Sequence, residues 1–324
     1  MNRRLALAAL AAAIVVLVPV SLMTGRAMVP LAVWFDTSDP RWVIIFELRL
    51  PRTLLAILIG AALGMSGAAM QGYTRNPLAD PGVLGVSAMA ALGAVLTLYF
   101  GGGAGGSWIV PAAAVAGAIG GVFLLVALAG MTASVITFVL AGVILQSVAG
   151  SGVALALSLA PNPWAVQEIL GWLMGSLTDR SMDELLLALP FVAAGMAAML
   201  ALGRALDALA LGEATAASLG IDLTRTQFVL AAGVGLATGA SVAVAGMIGF
   251  VGLIVPHLVR TWIGGTPRQL LVPSALGGAL LVLAGDTLMR ALPLAGELKL
   301  GIAMSALGGP FFLAMLISMR RRAA

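Results

Sequence analysis

The chain has 324 residues, of which 61% are hydrophobic and 9% charged, and its mean hydropathy is +1.11. No soluble domain of this length carries such a composition. The absence of cysteine excludes disulfides and thiolate chemistry, and the net charge of +4 sits on arginine flanks rather than forming a nucleic-acid footprint.

Apolar stretches occur near 5–24, 54–71, 83–100, 108–129, 135–159, 185–203, 226–247, 249–259, 270–289 and 300–318. About 20 apolar residues cross a bilayer, so the pattern predicts an all-α polytopic membrane protein with about ten transmembrane helices. The first stretch follows Arg3 and Arg4 but lacks a small-x-small cleavage site, which favours a retained span over a signal peptide. The 249–259 stretch is short and is expected inside the bundle. No linker interrupts the pattern, so 1–324 reads as one domain. The 41 glycines suit close helix–helix approach in lipid.

Charge sets the expected orientation. With both termini cytoplasmic, the inner segments hold ten basic and four acidic residues, and the outer ones seven basic and nine acidic. Against that bias, Arg49-Leu50-Pro51-Arg52 opens the second span from outside and Arg290 ends the ninth. Pro51 suits a helix start, where its missing N–H costs nothing. The arginines read either as interfacial snorkelling or as a basic rim for an acidic partner. Asp286 stands one turn before Arg290 and is expected to pair with it locally.

Residues 211–221 form a short, polar-flanked helix signal in an otherwise apolar chain. Glu213 suits the first turn, Gly212 the start and Gly220 a C-terminal cap. With no apolar face wide enough for lipid, this helix is expected on the cytoplasmic surface as a docking element. The chain holds no engine of its own. A Walker loop needs Gly-Lys-Ser/Thr, whereas the lone lysine, Lys299, precedes Leu300. A weak inverted repeat relates Arg52-Thr53, Gly60 and Leu63 to Arg225-Thr226, Gly233 and Leu236, a transporter habit.

Two other classes compete with a transport subunit. Gly64-Met65-Ser66-Gly67 with His257 suggests an intramembrane serine protease, although small residues at that spacing read more simply as close packing. An ion-coupled secondary carrier would want intramembrane carboxylates, and only Asp286 comes near. A lone histidine cannot form a metal-binding cluster, and His257 reads as a packed or interfacial residue.

Several segments together resemble the FecCD-type permeases, membrane subunits of bacterial ABC importers for iron–siderophores, haem and cobalamin. They are Arg49-Leu-Pro-Arg52, the span ending Met70-Gln71-Gly72, Asn76-Pro-Leu-Ala-Asp-Pro-Gly-Val-Leu-Gly85 and Trp172-Leu-Met-Gly-Ser176. Gly212-Glu-Ala with Leu219-Gly220, Gly246-x-x-Gly249-Phe-Val-Gly-Leu-Ile-Val-Pro256-His257 and Gly309-Pro310-Phe-Phe312 continue the series in order.

The resemblance implies a type II ABC importer permease in the bacterial inner membrane, working by alternating access. Its partners would be a second copy or a paralogue, a cytoplasmic ABC ATPase dimer that binds the ATP, and a periplasmic binding protein, with lipid around it. Arg49, Arg52 and Arg290 would dock the binding protein. Gly212, Glu213, Ala214, Leu219 and Gly220 would belong to the ATPase-coupling helix. Asn76, Leu78, Thr132 and Ser134 would match two cytoplasmic gates. The family's Glu-Leu-Pro before the last span is here Glu297-Leu298-Lys299, which adds a charge. No cofactor or protein-held metal is implied, because metals would arrive inside their chelates. The cargo is not legible.

Overall fold

The computed structural model describes residues 3–25, 27–100, 108–130, 134–292, 296 and 298–323. Thirteen α-helices lie among them: α1 Arg3–Met23, α2 Leu50–Thr74, α3 Val86–Tyr99, α4 Ile109–Ala129, α5 Val135–Ser158, α6 Pro163–Leu173, α7 Met182–Ala201, α8 Gly203–Leu209, α9 Glu213–Ser218, α10 Leu223–Ala245, α11 Val251–Ile263, α12 Pro267–Ala291 and α13 Leu300–Ala323. Eight of the helical stretches are long and apolar enough to cross a membrane, and α3 and α11 are shorter apolar helices. Eight of the ten predicted spans are long helices, while 83–100 and 249–259 hold shorter ones. A π-helical turn over Ile44–Arg49 lengthens the second span by about a turn and a half beyond α2.

The helix starts follow local chemistry. Ser134, Asn162, Ser181 and Asp222 each accept a backbone N–H of the following turn, and Ser181 with Glu184 completes a capping box. Pro51, Pro163 and Pro267 occupy first-turn positions that need no donor.

Small residues build the centre. A Cβ at Gly60 would overlap the Gly278 carbonyl, one at Gly64 that of Ser274, and one at Gly67 that of Gly252. One face of α2 thus lies backbone to backbone against α12 and α11, where dispersion and close approach replace a hydrophobic drive that lipid does not supply. In the second repeat copy glycine is used the same way: a Cβ at Gly195 of α7 would overlap the Gly233 carbonyl of α10. α2 and α10 are each 78% buried within the chain, against 22% for α1 and α7, so the two sequence-repeat helices form its axis.

Both axial helices are followed by a break. After α2 the chain runs through 75–85 with only a single 3-10 turn, Pro81–Leu84, before α3; after α10 it is non-helical at 246–250 before α11. At 1.5 Å per residue, the 14 residues of α3 and the 13 of α11 reach only about 20 Å, short of a ~30 Å hydrocarbon core. Their inner ends meet. Pro81 lies against Gly252, and Gly85, with φ +73°, abuts Gly142 and Gln146 of α5. The short 249–259 stretch is inside the bundle as expected, with residues 251–256 all buried.

Candidate functional site

Three polar regions stand out, one at each end of α2 and one between the breaks. At the Leu50 end lie Arg49, Arg52, Asp286 and Arg290. Asp286 is bridged by both Arg52 (Nη2, 2.8 Å) and Arg290 (Nε, 3.0 Å), so the expected local pair is present and is joined by a second arginine from α2. Arg49 donates to the carbonyls of Leu22, Met23 and Ala27 at 2.6–3.1 Å. Arg290 donates to the carbonyls of Ser21 and Thr24 and to the Ser21 hydroxyl, at 2.5–3.0 Å.

The sequence offered snorkelling or an exposed rim for these arginines. Arg49 and Arg290 are in fact 6% and 8% exposed and turned inward. The reason is the end of α1, whose last carbonyls have no helical partner and whose dipole favours a cation. Bonding to carbonyls satisfies geometry without cancelling charge. Within this cluster of four side chains, three arginines against one aspartate leave two positive charges.

At the other end of α2, Arg75 caps the helix in the left-handed region (φ 52°) and lies 3.8 Å from Glu213. Asp207 of α8 accepts the Arg268 backbone N–H at 2.9 Å, tying α8 to the start of α12. Beside them α9 is a six-residue helix, shorter than the 211–221 signal. Gly212 precedes it at φ +108° without a side-chain cap. Gly220 follows at φ +81°, its N–H bonded to the Ala217 carbonyl and that of Ile221 to the Ala216 carbonyl. That pairing is a Schellman cap, as the glycine predicted. Ala216 alone is buried, whereas Ala214 and Ala217 are exposed and Leu211 and Leu219 are 67% and 63% exposed. A helix with so little of itself packed at home presents two apolar knobs outward.

Of the expected gate residues, Asn76 closes a turn by accepting the Leu78 N–H at 2.9 Å, and Leu78 packs near Leu253, Ile254 and Met315. Ser134 caps α5, while Thr132 lies outside the described residues, as does Glu297. The Lys299 carbonyl accepts the N–H groups of Ile302 and Ala303 at the start of α13.

Between the breaks is a cavity of about 160 Å3. Asp80, Ser87, Gln146, Thr238 and Ser241 are its polar side chains, and residues 246–249 border it. Asp80 Oδ1 accepts the Gly82 N–H at 2.8 Å. Sequence reading passed over Thr238 and Ser241. The available signal was a pair of hydroxyls at i, i+3 on one face of an otherwise small and apolar helix.

The protease arrangement is not formed. Ser66 is fully buried, with no hydrogen-bond partner for its hydroxyl among the described residues, and the His257 ring packs edge-on against Phe311 with centroids 5.9 Å apart. Among the described residues no three His, Asp or Glu gather as metal ligands.

Eight long apolar helices and two shorter ones around a glycine-packed axis make an all-α multi-pass membrane protein. The sequence matches the FecCD transport family over residues 13–318, and the chain belongs to that family. It is 39% identical over 288 residues to the cobalamin import system permease protein BtuC of Halobacterium salinarum, covering 87% of this chain and 75% of that one. It is 36% identical over 302 residues to the hemin transport system permease protein HmuU of Yersinia pestis, covering 89% and 87%. A solved structure described as an ABC transporter of metal-chelate type, in an inward-facing conformation, superposes with a TM-score of 0.86 at 29% identity, covering 98% of this chain and 99% of that one.

Proposed function

We propose that the chain is the permease of an ATP-driven importer for iron chelates (siderophore or haem) or cobalamin, in a bacterial inner membrane with both termini cytoplasmic. The observation that carries this is α9: a short, capped helix exposing Leu211 and Leu219 at the end of the bundle away from the arginine cluster. In this reading Gly212, Glu213, Ala214, Leu219 and Gly220 seat in a groove of a separate ABC ATPase dimer. The Arg75–Glu213 contact passes its movement to α2.

The receptor, a periplasmic binding protein, docks on the opposite face. Arg49, Arg52 and Arg290 supply a positive field there, which would steer acidic groups toward the mouth. The Asn76–Leu78 turn and the Thr132–Ser134 segment act as gates. The pathway forms against a second permease, a copy or a paralogue. α5 supports this part of the reading, because Ser147, Gly150, Ser151 and Ser158 are exposed together on a helix only 28% buried. Such a small, polar stripe suits a bulky chelate better than lipid.

A cysteine at Ala217 tests the coupling step. It should cross-link to the ATPase subunit in the assembled complex, whereas a cysteine at Ser158 should not. No cross-link from Ala217, or equal yields from both sites, would overturn the assignment.

A further inference from the structure

The last turn of α2 is gripped by its neighbours at three points. A Cβ at Gly72 would stand 2.8 Å from the Pro267 side chain and 3.9 Å from that of Leu206, so α8 and the start of α12 close on that flank. Arg75, left-handed at φ 52°, ends the helix and faces Glu213 of α9. Between these two positions lies Tyr73, only 2% exposed. Its ring meets that of Phe138 of α5 edge to face, with centroids 5.6 Å apart. Rings in this orientation attract beyond their buried area, and neither can yield in a close-packed interior without moving its helix.

Phe138 is fully buried and sits on the anchored face of α5. Further along that face a Cβ at Gly142 would overlap the Val83 carbonyl, and Gly85 abuts Gly142 and Gln146. The chain that leaves α2 thus holds α5 at two points, the aromatic pair and the 83–85 backbone. Ser147 follows Phe138 by nine residues, which at about 100° per residue places it about 180° around the helix. The exposed serines therefore occupy the face opposite the one that Tyr73 bears on. α9 packs chiefly against α8 and α10, and α5 chiefly against α3, α4 and the Pro81–Leu84 turn. A link between α9 and α5 has to run through a third element, and the last turn of α2 touches both.

We propose that Tyr73 is a positioning residue of the transport cycle, carrying the movement of α9 through the end of α2 to α5 and its serine face. This rests on the reading of α9 as the ATPase-coupling helix. The Arg75–Glu213 contact is the input of the relay, and Phe138 receives its output. Coupling between distant sites needs one element whose position both of them bias, and packed side chains pass a displacement on rather than absorb it. The contact is between rings, so the relay needs the aromatic ring of Tyr73 and not its hydroxyl.

The chain has no cysteine, so pairs of spin labels can be placed on introduced cysteines without removing any. Val16 on α1, 66% exposed, is the reference. Ala210, exposed between α8 and α9, reports the input, and Ser151, exposed on α5, reports the output. The Val16–Ala210 and Val16–Ser151 distances are measured by pulsed electron–electron resonance in nanodiscs holding permease and ATPase, without nucleotide and trapped with ATP and vanadate. Both distances should shift on trapping in the otherwise unaltered complex. Tyr73→Leu and Phe138→Leu should each keep the Ala210 shift and lose most of the Ser151 shift, whereas Tyr73→Phe should keep both. An undiminished Ser151 shift in Tyr73→Leu, equal losses at both reporters, or loss of the Ser151 shift in Tyr73→Phe would overturn the assignment. So would a Ser151 distance that stays fixed in the unaltered complex while Ala210 moves. An Ala210 distance that never moves would overturn the coupling-helix reading itself, and the role of Tyr73 with it. Where Tyr73→Leu does not assemble, Phe138→Leu decides, and an undiminished Ser151 shift there overturns the assignment.

Discussion

A methyl group at Gly67 would be built into the Gly252 carbonyl, while one at Gly120 on α4 would meet nothing within 4 Å. Gly67→Ala should therefore lower the unfolding midpoint of the purified permease, with a cost at or above the ~1–3 kcal/mol typical of overpacking. Gly120→Ala should leave it unchanged. The charged cluster makes a second prediction. Asp286→Asn would remove the counter-charge shared by Arg52 and Arg290, whose side chains are 12% and 4% exposed, and losing one partner of a buried pair costs about 3–5 kcal/mol. A midpoint within a degree of wild type would contradict that role. Single residues were unevenly legible. Gly64 and Gly67 announced close packing because spacing alone implies it. The inward turn of Arg49 and Arg290 was hidden, because it depends on where α1 ends relative to α2 and α12, a contact 22 to 269 positions away in sequence.

Among elements, α9 was the most readable. Its glycines at both ends and its lack of an apolar face stand out against long apolar neighbours, and the structure trims only its length. Two residues inserted after Ala217 should rotate and displace Leu219 from its seat. ATP hydrolysis by the assembled complex should continue while uptake falls, and receptor binding should persist; unchanged uptake would remove α9 from the coupling path. The breaks were half legible. Shortness and internal glycine flagged 249–259, but 83–100 read as a full span because its apolar run continues through the 3-10 turn into α3. Composition does not register where an apolar segment leaves the helix. The serine stripe of α5 escaped for a related reason, since facing depends on neighbours that a single helix does not disclose.

For the whole molecule, composition fixed the solvent and the all-α class, because a lipid environment leaves helices as the economical way to satisfy the backbone. Which helices are central was not in the composition. It shows in burial, which places α2 and α10 inside and α1, α5 and α7 outside. Salt should tune the receptor face. Arg52→Glu should weaken receptor docking most at low ionic strength, where the Debye length approaches 30 Å, and much less near 1 M, where it is about 3 Å. Salt-independent loss would place the defect in folding rather than in the field. The central claim is that a separate ATPase drives this permease. Uptake of radiolabelled ferric siderophore, haem or cobalamin into proteoliposomes carrying the permease, its ATPase and its receptor tests it most directly. Accumulation should require ATP and the ATPase together and survive the collapse of proton and sodium gradients. Uptake by the permease alone, driven by either gradient, would contradict the account.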